Sequence, residues 1–239
     1  MRVKLKEQRP ETPDVMTFVF DLGGQSYSYT AGQFAFFELD ALTTDDPRGK
    51  RRHFTLSSSP TEQGIVQFTT KFRGSGFKET LRTAALGLQV ELEPPRGRFT
   101  LPGDAGQPIV FLGGGIGVTP FRSMLRLASD ENLPHEITML YSAPSPENIV
   151  FRREFDHLPQ ENPHVKIVLT VSDAPEESAW QGERGRINAD KIEQYVNDIP
   201  KTIFYTCGPP PMVQAMEELL KSMNVPEEQI RIERFSGYA

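Results

Sequence analysis

The chain has a single cysteine, Cys207, and that scarcity excludes two architectures at once. An internal disulfide needs a second thiol, and an iron–sulfur cluster held by this chain alone needs four. The four histidines, at positions 53, 135, 157 and 164, fall at no metal-ligand spacing. No apolar run approaches the ~20 residues of a membrane-spanning helix. Positive charge is not in excess either. The formal net charge is −6, which argues against a nucleic-acid partner, because phosphate backbones favour a basic face. No internal repeat and no low-complexity segment is present. The first residues, Met1-Arg2-Val3-Lys4-Leu5-Lys6, alternate polar and apolar as a strand does, unlike a signal peptide. A reducing, cytoplasmic setting is the expectation that fits one thiol.

What the chain does have is length enough for one large domain or two small ones: 239 residues, 37% of them hydrophobic. Its first part reads as antiparallel β, with strands expected over 2–8, 15–20, 33–39, 52–57, 65–72 and 88–93. Turn-rich pieces such as Asp21-Leu22-Gly23-Gly24 and Asp45-Asp46-Pro47-Arg48-Gly49 separate them, and a short helix is expected near 77–85. Short strands with such breaks predict a small barrel. From 109 onward the rhythm changes. Strands over 109–112, 136–142, 165–171, 202–207 and 229–233 alternate with helices over 120–129, 148–157, 188–195 and 210–222. That alternation predicts a parallel sheet with helices on both faces. The expected boundary lies at Leu101-Pro102-Gly103-Asp104-Ala105-Gly106, giving domains 1–103 and 104–239.

The run Gly113-Gly114-Gly115-Ile116-Gly117-Val118-Thr119-Pro120 carries the most information. It joins the apolar strand Ile109-Val110-Phe111-Leu112 to a helical pattern at Phe121, Met124, Leu125, Leu127 and Ala128. Glycines there let the chain turn tightly and let a phosphate approach the backbone, at a helix end with free N–H groups. Pro120 stands in the first turn, where its missing N–H is no loss. The pattern is GxGxxP rather than the dinucleotide fingerprint GxGxxG.

Two further runs add to it: Arg51-Arg52-His53-Phe54-Thr55-Leu56-Ser57-Ser58 in the first half, and Thr206-Cys207-Gly208-Pro209-Pro210-Pro211-Met212 near the end. In the order Arg-x-Phe-Thr-x-x-Ser, GxGxxP, Cys-Gly-Pro-Pro, the three resemble the ferredoxin–NADP reductase superfamily over nearly the whole chain. The resemblance implies a flavin-binding antiparallel β-barrel followed by an α/β parallel-sheet domain for a pyridine nucleotide, without an iron–sulfur domain.

By that resemblance Arg52 holds a flavin phosphate, Phe54 packs on the ring or ribityl side, and Thr55 faces the flavin N5 region. Strand alternation puts Arg52 and Phe54 on one side and His53 and Thr55 on the other, so a backbone contribution is expected at one of the pair. The superfamily usually has Tyr and Ser there. Phe54 lacks the phenol and so one hydrogen bond, worth ~1 kcal/mol. The turn Lys71-Phe72-Arg73-Gly74-Ser75-Gly76-Phe77-Lys78 looks like the superfamily's pyrophosphate turn, with Thr70, Gly74, Ser75 and Gly76 as contacts and Ser75 placed like an N-cap. Two phosphates neutralised by Arg52 and this turn favour FAD over FMN. Near the C-terminus, Phe235 is the candidate cover of the flavin ring, with Tyr238 as the alternative, and Glu233 is the candidate acid.

In the second half, Gly115, Gly117 and Thr119 are expected against NAD(P)H. Cys207 ends an apolar strand where open α/β sheets bind ligands. The resemblance sets Cys207 beside the nicotinamide, with Gly208 and Pro209 shaping the approach. No arginine directly follows the second strand, and Glu147 and Asp173 are acidic, which leans toward NADH. The implied activity is a flavoprotein reductase passing electrons from NAD(P)H through FAD to a separate protein, a ferredoxin, flavodoxin or oxygenase component. Two alternatives remain open: reduction of a small flavin or ferric acceptor, and a non-catalytic flavin-binding electron-transfer subunit.

Overall fold

In the computed structural model, residues 1–173 and 179–235 are described. Two six-stranded sheets organise them. The first contains β1 (Arg2–Thr12), β2 (Val15–Asp21), β3 (Phe34–Glu38), β4 (Arg51–Thr55), β5 (Ile65–Lys71) and β6 (Gln89–Leu92), with helix α1 (Gly76–Thr83) between β5 and β6. Its order is β4-β3-β6-β1-β2-β5, and every pairing is antiparallel. The two ends of that order meet. Just past β4, the Ser57 N–H donates to Gln67 O on β5 at 2.8 Å, so the sheet closes on itself. Period-two alternation drives the closure: Phe18 and Phe20 of β2, Phe37 of β3 and Phe68 of β5 all point inward and are fully buried with Phe77 of α1. Burying each such ring contributes ~1.5–3 kcal/mol.

The second sheet contains β7 (Ile109–Gly114), β8 (Ile137–Ala143), β9 (Val165–Val171), β10 (Glu183–Arg184), β11 (Ile203–Gly208) and β12 (Ile230–Arg234). Its order is β10-β9-β8-β7-β11-β12, all parallel. Helices α2 (Thr119–Asp130), α3 (Arg152–Glu161), α4 (Ala189–Tyr195) and α5 (Pro210–Ser222) connect the strands. The strand β7 reads as an unbroken apolar run because both its faces are covered. Ile109 and Phe111 pack with Phe121, Met124 and Leu125 of α2, while Val110 and Leu112 pack with Met216 and Leu220 of α5.

One local expectation needs correction, and one strand was not expected. The helix expected over 148–157 starts only at Arg152, because Ile149, Val150 and Phe151 turn their side chains into the core and Phe151 adopts a left-handed φ of +60°. The two-residue edge strand β10 is too short to leave any alternation in the sequence. No helix among the described residues is long and apolar enough to cross a membrane.

Candidate functional site

Strands β4 and β5, the start of α1, the glycine turn and the end of the described chain converge on one cleft of about 760 Å³, open to solvent. Its walls include Arg52, Phe54, Thr55, Ser75, Thr119 and Phe235, all marked by the sequence and drawn from both halves. Arg48, His53, Thr69, Arg73, Lys78 and Ile116 complete it. Phe54 lies flat on Phe68, ring centroids 4.0 Å apart and 5° from parallel. His53 packs near Phe34 and Phe36, centroids 5.5 and 5.4 Å away. Alternation does not separate the four consecutive residues Arg52 to Thr55, all of which border the cleft. On β5 alternation does decide. Thr69 lines the cleft and shares its hydroxyl with Thr17 and Ser57 at 2.7 and 3.0 Å. The expected Thr70 faces the other way, its buried hydroxyl without a partner among the described residues.

The cleft is strongly cationic. Arg48, Arg52, Arg73 and Lys78 all border it. Burial, and then the charges of Arg48, Arg73 and Arg52, push the Lys78 ammonium down to about 8, although it donates to Lys71 O at 2.6 Å. Such a surplus suits a ligand bearing phosphates. Arg52 is almost fully buried. Its Nη1 donates to the carbonyls of Arg48, Gly49 and Arg51, and its Nη2 donates to Asp46. Ser75 caps α1 by accepting the Lys78 N–H, and its own hydroxyl donates to Asp46 at 2.8 Å. Ser75 itself lines the cleft. Gly76 packs under the loop before β4, where a Cβ would lie 2.3 Å from Thr44 O. Gly74 takes a φ of +65° in the turn.

A second cleft, about 1490 Å³ and broadly open, lies at the carboxyl ends of the parallel strands. Gly114, Gly115, Ser142, Ser172, Arg186 and Pro209 are among its walls. The glycine run is required by geometry. Gly115 has a φ of +52°, and a Cβ on Gly117 would sit 2.0 Å from Cys207 O. Beneath the turn, the fully buried Tyr141 donates its hydroxyl to Gly115 O at 2.9 Å and accepts the Val150 N–H at 3.2 Å. The two clefts share Ile116 and Arg73 and so adjoin.

Cys207 is fully buried and borders neither cleft. Its thiol faces Glu233 across the β11–β12 pair, with Sγ 3.9 Å from Oε2. Burial, and then the Glu233 carboxylate, push the thiol well above its ordinary range. Burial also lifts Glu233 to about 7, with the thiol's hydrogen bond pulling weakly the other way. Gly208 has a φ of +145° and its carbonyl accepts the Phe235 N–H at 3.0 Å, which sets the Phe235 ring at the first cleft. The alternative cover, Tyr238, lies outside the described residues.

A buried charge cluster joins the halves. The Arg122 guanidinium on α2 donates to Glu154 at 2.8 Å, Glu62 at 3.1 Å and Ser57 O at 2.9 Å, and the adjacent Ser123 donates to Ser58 O at 2.6 Å. Sequence reasoning missed Arg122, Tyr141, Asp46, Arg48 and Arg186. Of these Asp46 and Arg48 lay in a stretch already marked as a turn, which says nothing of their packing.

The sequence matches the family profile described as the oxidoreductase FAD-binding domain over residues 2–101, and that of the oxidoreductase NAD-binding domain over residues 111–218. The chain belongs to the ferredoxin–NADP reductase superfamily. It thus pairs an FAD-binding with an NAD(P)-binding domain. Among superfamily relatives, the glycine betaine monooxygenase reductase subunit of Chromohalobacter salexigens is 30% identical over 89% of this chain and 58% of its own length. The propane 2-monooxygenase reductase component of Rhodococcus jostii is 28% identical over 100% of this chain and 64% of its own. The chain therefore spans about three fifths of these relatives. The same fold occurs in the FAD/NAD-binding domain of a nitric oxide dioxygenase from Vibrio cholerae, with a TM-score of 0.82, 22% identity and 98% of each chain covered. A Neisseria gonorrhoeae ferredoxin NADP+ reductase solved with FAD and NADP gives a TM-score of 0.78 at 19% identity, again covering 98% of each chain.

Proposed function

We propose that the protein is an NAD(P)H-dependent flavoprotein reductase that delivers electrons to a separate acceptor protein. The observation that carries this reading is the adjacency of the two clefts at Ile116 and Arg73, the first cationic and aromatic, the second at the strand ends of the parallel sheet. Bound FAD would accept a hydride from the nicotinamide and release the two electrons singly.

The chain's own residues bind, orient and hold protons. Arg52, Arg48, Arg73 and Lys78 neutralise the flavin's phosphates, and Phe54 and Thr55 line the ring end. The Gly115–Thr119 turn and the Gly208-Pro209 bend bring the nucleotide close to the backbone. Cys207 acts by position: a thiol this buried keeps its proton and is a poor nucleophile. Beside it, Glu233 can hold or release a proton near neutral pH. Phe235, on the wall of the first cleft, would in this reading cover the flavin ring and yield to the nicotinamide.

NADH is favoured over NADPH, since the turns after β8 and β9 carry Glu147 and Asp173, although Arg186 also borders the second cleft. Relatives named as monooxygenase reductase components favour an oxygenase component as acceptor, with a ferredoxin or flavodoxin as the other classes. A cytoplasmic setting belongs to the same reading. The test is anaerobic mixing of the flavin-loaded protein with NADH and NADPH in parallel, then reoxidation by a panel of acceptors. Bleaching of the flavin colour followed by reoxidation by a protein acceptor is expected. Flavin that stays oxidised would reject the reading in favour of a non-catalytic subunit, and reoxidation only by free flavin or ferric chelates would favour a small acceptor.

A further inference from the structure

Asp46 is nearly closed to solvent, its side chain 4% exposed, and it is absent from the walls of the cationic cleft. It stands behind that cleft and gathers four donors from two distant parts of the chain. Oδ1 takes the Arg52 guanidinium and the Arg48 N–H at 3.0 Å; Oδ2 takes the Ser75 hydroxyl at 2.8 Å and the Phe77 N–H at 3.1 Å. Arg52 belongs to β4, whereas Ser75 and Phe77 form the N-terminus of α1. One carboxylate thus spans the two segments that meet at the phosphate end of the cleft. Burial works against its charge, but the four donors outweigh burial and hold the carboxyl down to about 2.

We infer that Asp46 is a positioning residue that locks Arg52 and the N-terminus of α1 together and so preforms the flavin-phosphate site. This inference rests on the proposed flavin binding. Asp46 is not a wall of the cleft, whereas Arg52 and Ser75 are, so the carboxylate holds both of them from outside it. It aims the Arg52 guanidinium, whose Nη1 is already tied to three carbonyls. A carboxylate is suited to this task because both its oxygens accept and neither donates. An amide at the same place would set N–H against the Phe77 N–H.

The test is titration of flavin-free protein with FAD, FMN and riboflavin, followed by flavin fluorescence, for wild type, Asp46→Asn and Asp46→Ala. Misdirecting a charge-assisted hydrogen bond to phosphate should weaken FAD and FMN by roughly 10- to 100-fold in Asp46→Ala, and by less in Asp46→Asn. Riboflavin has no phosphate and meets only the Phe54 and Thr55 end, so its affinity should not change. That selectivity separates positioning from general damage to the barrel. If Asp46→Ala does not fold, the same pattern in Asp46→Asn decides. Unchanged FAD affinity in both variants, tighter FAD binding in Asp46→Asn, or an equal loss for riboflavin would overturn the inference. A wild-type protein that binds no flavin would overturn the proposed function first.

Discussion

Replacing Glu233 by Gln removes a titration without removing bulk, and the structure sets how large the effect should be. The Glu233 carboxyl has an ordinary value of 4.5 and sits at about 7 in the fold, chiefly because it is buried. The unfolded chain releases this proton near 4.5, whereas the native protein keeps it until about 7. Between those values the native state binds more protons, so stability falls as pH rises. At ~1.4 kcal/mol per pH unit the whole interval amounts to about 3 kcal/mol. Below 4.5 and above 7 this contribution is level. The Glu233→Gln variant is neutral throughout and should lack the slope. Urea unfolding of the flavin-free protein, followed by far-ultraviolet circular dichroism from pH 4 to 8, gives both curves. The difference, wild type minus variant, should fall by about 3 kcal/mol across the interval. A difference that stays level would mean that Glu233 ionises like a surface carboxylate, and the proton-holding role would fall with it.

Asp46 should act oppositely at acid pH. Its carboxyl is depressed from 3.8 to about 2, so its stabilising contribution is complete above 3.8 and is lost as pH falls through 2, a slope that Asp46→Asn would abolish in acid unfolding curves. Gly117→Ala places a Cβ against the Cys207 carbonyl, which is backbone and cannot swing aside; a loss of ~1–3 kcal/mol in urea unfolding is expected, and an unchanged midpoint would contradict the packing. Arg122→Met strands Glu154 beneath the halves and should destabilise by ~3–5 kcal/mol in the same assay, with Arg122→Lys recovering part of it. Cys207→Ala should leave flavin content unchanged and slow flavin reduction by the nicotinamide in anaerobic stopped flow, by on the order of 100-fold if the thiol sets the approach of the reacting atoms. An unchanged rate there would reduce Cys207 to a core residue.

The two sheets were legible because their strands carry different patterns. Phe18 and Phe20 alternate with outward residues in the barrel, whereas Ile109-Val110-Phe111-Leu112 is apolar throughout because helices cover both faces. The glycines were legible for a physical reason as well: no side chain fits beside Cys207 O at position 117. Asp46 was not legible. Asp45-Asp46-Pro47-Arg48-Gly49 has the composition of an exposed turn, and nothing local says that it folds back onto Ser75, 29 residues on. Arg122 falls in the same category, since a charged residue on a helix is usually solvated. Its burial comes from Glu62 and Ser57 in the other half of the chain. The start of α3 slipped because Phe151, Phe155 and Leu158 keep a helical spacing, and only the packed core shows that Ile149, Val150 and Phe151 fill it ahead of the helix.

The stretch from Arg52 to Ser58 works as a single rail laid between the two halves. At one end its guanidinium is fixed among the donors and acceptors around Asp46; at the other its carbonyls at Ser57 and Ser58 are gripped by Arg122 and Ser123 of α2. The glycine turn that opens onto the second cleft is the segment immediately before α2. Whatever stiffens the barrel end of the rail therefore stiffens the foundation of that turn. Filling the first cleft should slow hydrogen exchange at the amides of α2, in the domain whose own ligand is the nucleotide, before any nucleotide has been added.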